Sequence, residues 1–115
     1  PMAEVQMLLI KGKTEQALLK LQALARATPP NYRAVTRLAW LYESGLAVDR
    51  DVAQAAELFM QAAEAGDAEA QYAISVMYQT GVGKPQDQQE ADTWLRRSAA
   101  QGYQAARDKL KANAD

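Results

Sequence analysis

The tightest constraint on this chain is that it repeats itself after 36 residues. Ala34, Tyr42, Gly45, Asp51, Ala55, Ala63 and Gly66 return as Ala70, Tyr78, Gly81, Asp87, Ala91, Ala99 and Gly102, with no insertion between the copies. Leu38 with Ile74, Leu41 with Met77, Leu46 with Val82, Leu58 with Trp94 and Ala62 with Ser98 match in kind. A repeat of this length is one supersecondary unit that cannot cover its own apolar side, so it folds by stacking on its neighbours. The expectation is an array.

Each copy reads as two helices. Ala34, Leu38, Leu41 and Tyr42 fall at i, i+4, i+7 and i+8, one apolar stripe at helical period. Gly45 follows, suited to the left-handed conformation that ends a helix. Residues 45–50 form a short interhelix loop. Asp51 with Gln54, and Asp87 with Glu90, have the spacing of capping boxes. The second helix places Ala55, Leu58, Phe59, Ala62 and Ala63 on one side and stops at Gly66, after which Asp67 can cap the next. The alanines allow close helix approach, and Leu58 and Phe59, or Trp94 and Leu95, fill the space beside them.

The flanks carry variants of this theme. Before the first full copy, Val5, Leu8 and Leu9 suggest a helix, Gly12 a turn, and Ala17, Leu18, Leu21 and Leu24 a second helix ended by Pro29-Pro30, with Asn31 as the next cap. After the second copy, Ala106 and Leu110 continue the inward pattern while Lys111, Asn113 and Ala114 replace Ser75, Met77 and Tyr78. That polar turn is what a terminal capping helix needs. The fold class is therefore all-α: a solenoid of about three antiparallel helix pairs and a C-terminal capping helix. Its single repeat domain divides at 1–31, 32–66, 67–102 and 103–115, and the array is expected to end there.

Composition removes several chemistries. Among 115 residues there is no Cys and no His, which rules out disulfides, Cys/His zinc sites, thiolate nucleophiles and a Ser-His-Asp triad. Thirteen basic against 14 acidic residues give a net charge of −1, without the excess that draws a domain to nucleic acid. The longest apolar run, Met7 to Ile10, is far short of a membrane span. Gly81-Val82-Gly83-Lys84 is not a phosphate loop, because Tyr78 stands at the earlier glycine position and Pro85 follows the lysine. Arg96-Arg97 and Lys109/Lys111 read as solvated helix faces. The pairs Asp49/Asp51 and Glu90/Asp92 lack a third catalytic partner. No metal and no cofactor is expected. Pro1 is not an initiator residue, so the chain is read as processed or excised, and localisation stays open between cytoplasm and periplasm.

The motif Ala34-x3-Leu38-Ala39-x2-Tyr42-x2-Gly45, followed by Asp51-x3-Ala55 and Ala62-Ala63-x2-Gly66, resembles the Sel-one-like repeat, a 36-residue relative of the tetratricopeptide repeat. The second copy is the closer match, with its Gly81-Val82-Gly83 loop and Trp94. Residues 1–31 are similar to an ordinary tetratricopeptide repeat in the spacing of Gly12, Ala17 and Pro29. The resemblance implies a right-handed solenoid that acts as an adaptor or scaffold, often in bacterial envelope, virulence-related or signalling assemblies.

If first helices line the concave side, as the resemblance implies, that side presents Arg33, Thr36, Arg37, Trp40 and Glu43, then Glu69, Tyr72, Val76 and Gln79. Trp40 lies off the Leu38/Leu41/Tyr42 stripe. It is either a binding anchor among arginines or a ring packed on the adjoining first helix, and the first option makes these nine residues the candidate contacts. The expected function is noncatalytic binding of a protein or peptide. Alternatives are a self-associating scaffold joined through the N-terminal helices, or an inhibitor or immunity protein for a partner enzyme. An enzyme ranks last.

Overall fold

A computed structural model of the chain describes residues 2–10 and 12–114. Pro1, from which processing was inferred, lies outside them, as do Lys11 and Asp115. The described residues form α1 (Met2–Ile10), α2 (Thr14–Arg26), α3 (Tyr32–Ser44), α4 (Val52–Glu64), α5 (Ala68–Thr80), α6 (Gln88–Ala100) and α7 (Gln104–Ala114), with no strand among them. Each helix packs chiefly on the next in sequence, from α1 on α2 through α6 on α7. Such nearest-neighbour stacking is the signature of a solenoid, and the 43 × 28 × 26 Å extents reflect it.

The caps follow from the local sequence. Asn31, Asp51, Asp67 and Asp87 each accept a side-chain hydrogen bond from the backbone N–H three residues on. One orphan donor is thereby satisfied at the start of α3, α4, α5 and α6. Full capping boxes at Asp51/Gln54 and Asp87/Glu90 are not what forms. The backbone N–H groups of Asp51 and Asp87 donate instead to the carbonyls of Tyr42 and Tyr78, at 2.8 and 2.9 Å. Those bonds tie the end of each loop back to the preceding helix, and they occupy the donor a reciprocal box would use.

The C-terminal end of each first helix is closed in the same way in both copies. Gly45 and Gly81 adopt φ of 76° and 77°, and their N–H groups bond Leu41 and Met77. A Cβ on Gly45 would stand 3.1 Å from Cβ of Arg50, so the turn needs glycine for space as well as for φ. Arg50 and Gln86, one repeat apart, reach back to the carbonyls of Glu43 and Gln79.

The core runs continuously along the stack. Val5, Ala17, Leu21, Ala34, Ala55, Phe59, Ala62, Ala70 and Ile74 are fully buried in one cluster. Leu38, Leu41, Leu58, Met77 and Trp94 lie within 8% of full burial. In α7 only Ala106 is buried and Leu110 is half-buried, so that helix contributes little core. Buried polar groups join the repeats. Ser98 Oγ donates to the Ala68 carbonyl at 2.7 Å, and Gln71 donates to Ala63 while accepting from Gln101. No buried side-chain polar atom among the described residues lacks a partner, as a low-dielectric interior requires.

Candidate partner-binding face

The nine candidate residues lie on α3 and α5, the first helices of successive copies, and the structure gathers Arg33, Thr36, Arg37 and Trp40 around two carboxylates, those of Asp67 and Glu69. Asp67, the cap of α5, accepts from Thr36 Oγ1 at 2.7 Å and from Arg33 Nη1 at 3.1 Å. Glu69 accepts from the Trp40 indole N–H at 2.8 Å, with Arg37 Nη1 at 3.3 Å and Arg33 Nη2 at 3.5 Å. Both acids belong to the start of α5, where the helix dipole favours negative charge. Their side chains are only 8% and 11% exposed, against 49% for Arg33 and 34% for Arg37. The buried ends of this network, at Thr36 and Trp40, therefore hold α3 to α5 more firmly than the exposed guanidinium ends.

Electrostatics agree with that picture. Burial acts to lower the affinity of Arg33 for its proton, but the hydrogen bond to Asp67 and the charges of Asp67 and Glu69 outweigh it and raise its pKa above the ordinary arginine value. Tyr103, immediately before α7, has its pKa raised by burial first, then by Glu69 and Tyr72, with Arg37 and Arg33 opposing. Its ring lies 5.5 Å from that of Tyr72, and Lys109 Nζ sits 5.9 Å over the other ring of the pair, Tyr72.

Trp40 is bonded to the adjoining first helix through Glu69 and rests on α4, while part of it stays accessible. Its ring meets Phe59 of α4 edge-on, with centroids 4.8 Å apart and planes at 76°, yet 36% of the residue remains exposed. It stands as a partition between two hollows. On the α5 side, a hollow of about 270 Å³ is lined by Trp40, Glu43, Phe59, Tyr72, Ala73, Val76 and Met77. On the α1 side, a wider one of about 410 Å³ is lined by Leu9, Thr14, Leu21, Arg37, Trp40, Leu41, Ser44 and Leu46.

The candidate set thus divides. Trp40, Glu43, Tyr72 and Val76 border one hollow and Arg37 lines the other; Arg33 is exposed and Gln79 partly so. Thr36 is fully buried and Glu69 is 8% exposed, so these two serve the α3–α5 junction, with Glu69 orienting Trp40 from beneath. Sequence reasoning missed Asp67 as more than a cap, Phe59 as the support of Trp40, and Tyr103. One signal was readable: Arg33 and Glu69 occupy the same position of successive copies with opposite charge, and such residues pair when copies stack in register.

Acid pairs elsewhere are spent on local structure. Asp51 and Asp87 cap helices, and Asp92 accepts from Gln88. No group of three metal-ligating side chains occurs among the described residues, and no helix of the structure is long and apolar enough to cross a membrane.

Comparison with known families decides the classification. The Sel1 repeat matches residues 33–67 and 68–103, the two copies read from sequence with bounds one residue later. The chain belongs to the Sel1 repeat family. A Sel1 repeat protein from Oxalobacter formigenes is 30% identical, with a TM-score of 0.84 over 94% of this chain and 44% of that one. A protective antigen of uropathogenic Escherichia coli strains that displays the same repeat fold is 28% identical, with a TM-score of 0.75 over 84% of this chain and 20% of that one. The cysteine-rich protein B of Helicobacter pylori, 22% identical with a TM-score of 0.67 over 84% of this chain and 68% of that one, shares the fold. The chain spans less than half the length of the first two. None of the curated proteins matches it. Sel1 repeat proteins are in general protein-interaction modules, typically without catalysis.

Proposed function

We propose that this Sel1 array is a noncatalytic binding module that seats a peptide or protein surface on the face formed by its first helices, the concave side of the solenoid. The observation that carries the reading is the state of Trp40. The indole is held by Phe59 and by the Glu69 carboxylate, but a third of it faces solvent beside a hollow. A large amphipathic ring fixed before a partner arrives loses little freedom on association, which is how preorganised anchors contribute affinity. Arg33, Arg37, Glu43, Tyr72, Val76 and Gln79 supply the accessible surroundings. A pull-down from the source organism with wild type and with a Trp40→Ala/Tyr72→Ala variant, folded as judged by circular dichroism, tests the proposal. Reduced recovery of specific proteins is expected, and equal recovery of all of them would move the site elsewhere.

Self-association through the N-terminal helices is a second reading, favoured by Met7, Ile10 and Leu19 at 51%, 80% and 66% exposure. Light scattering over a concentration series distinguishes it, since only this reading raises the mean mass.

A further inference from the structure

We propose that the hollow between Trp40 and α5 takes a basic side chain, arginine or lysine, from the partner; this rests on the binding face proposed above. The hollow, about 270 Å³, is smaller than the roughly 300–1,000 Å³ of small-molecule sites and suits a single side chain. Its walls are mostly apolar, with Trp40, Phe59, Ala73, Val76 and Met77 in the lining, and Glu43 supplies the one carboxylate. Long basic side chains have this same build, an aliphatic stem with a charged head.

Charge decides against an apolar or acidic occupant. Arg33 and Arg37 are already opposed by Asp67 and Glu69. The carboxylate of Glu43 has no hydrogen bond or ion pair among the described residues; only its backbone carbonyl is engaged, by Arg50. The negative charge left over at the hollow is therefore that of Glu43. The aromatic rings show a parallel pattern. Arg97 lies 4.7 Å over Trp94 and Lys109 lies 5.9 Å over Tyr72, whereas Trp40, the more exposed tryptophan, carries no cation from the described residues. A partner's basic group set between Trp40 and Glu43 gains cation–π and ionic contact together.

The test pans a random displayed peptide library against the immobilised full chain, retaining clones that a Val76→Trp variant, folded as judged by circular dichroism, fails to bind because its ring fills the hollow. A basic residue at one fixed position of those clones is expected, with binding weakened about threefold to tenfold by Glu43→Gln. The same selection on Glu43→Lys is expected to replace that basic residue by an acidic one. Glu43 is partly exposed and bonds through its backbone alone, and circular dichroism of both variants confirms that the fold is kept. Clones blocked by Val76→Trp but without basic preference, and indifferent to Glu43→Gln, overturn this inference while leaving the binding face standing. Failure to enrich any clone sensitive to Val76→Trp overturns both.

Discussion

Replacing Trp40 by alanine tests the geometry of the proposed binding face through stability. A tryptophan side chain offers at most about 250 Å², and with 36% of the residue exposed roughly 160 Å² of ring is covered. At ~25 cal/mol per Å² the covered area is worth about 4 kcal/mol, an upper bound because the unfolded chain already shields part of such a ring. The edge contact with Phe59 adds ~1 kcal/mol, while alanine retains a Cβ and has better helix propensity by ~0.5 kcal/mol. With the unfolded-state reduction, and with the ~1 kcal/mol of the lost N–H bond to Glu69 included, the sum for Trp40→Ala is a loss of about 3–4 kcal/mol. That lies at the low end of the ~3–5 kcal/mol of a core aromatic and well above the ~0.5 kcal/mol of a surface one. Trp40→Phe keeps a ring beside Phe59 but removes the N–H to Glu69, which retains both arginines, and the covered area of one of the two fused rings; about 1–2 kcal/mol is expected. Urea denaturation followed by far-ultraviolet circular dichroism gives both values, provided the slope is unchanged from wild type. A Trp40→Ala loss below ~1 kcal/mol would mean the ring does not rest on Phe59. A loss above ~5 kcal/mol would mean that it is core and cannot serve as an anchor.

Four further outcomes follow from local geometry. Gly83 has φ of 82° and a Cβ there would meet Val52 Cγ1 at 3.0 Å and Met77 Cε at 3.2 Å, so Gly83→Ala should cost about 1–2 kcal/mol in a denaturant titration. At the equivalent position Ala47 already adopts φ of 67°; Ala47→Gly should change stability by no more than ~0.5 kcal/mol, because relieved strain and added unfolded-state freedom offset each other. Asp51→Ala should cost ~1 kcal/mol through the lost bond to the Gln54 N–H, read as a fall in the denaturation midpoint. Tyr78 and Tyr103 both have raised pKa values, burial being the first cause, so above pH ~10 the unfolded chain releases tyrosine protons that the folded one retains. Stability must therefore fall as pH rises through that range, and Tyr103→Phe should flatten the decline in titrations at pH 8 to 11.

Most of the fold was legible because each signal acts over a few residues and was repeated. The stripe from Ala34 to Tyr42, the glycine after it and the aspartate before the next helix bound α3, α4, α5 and α6 without reference to tertiary structure. Details that depend on two elements meeting were not legible. Nothing local reveals that the Asp51 N–H turns back to the Tyr42 carbonyl, which is why a capping box was expected and only its aspartate half forms. For the same reason the helical wheel placed Thr36 on the open face. The α3 stripe is wider than its apolar letters suggest, since Asp67 on the next helix gives the Thr36 hydroxyl a buried partner. Gln71, Ser75 and Ser98 are likewise buried polar residues that the apolar pattern passes over.

The positions where the copies agree and those where they differ divide the work between them. Alanines, glycines and capping aspartates recur because every hairpin must turn and pack in the same way. Arg33 and Glu69 share one position with opposite charge, and their pairing makes the contact between copies directional. Two copies with arginine there would set like charges at that distance, whereas arginine followed by glutamate attracts. Trp40 and Val76 share another, and the inequality of size leaves a hollow where two equal rings would fill it. Glu43 and Gln79 share a third, so one charge remains at the mouth of that hollow. A repeat comparison counts these three pairs as mismatches. Physically they are among the differences that set this array apart from a uniform stack, and on the proposed binding face they are where charge and size change from one copy to the next.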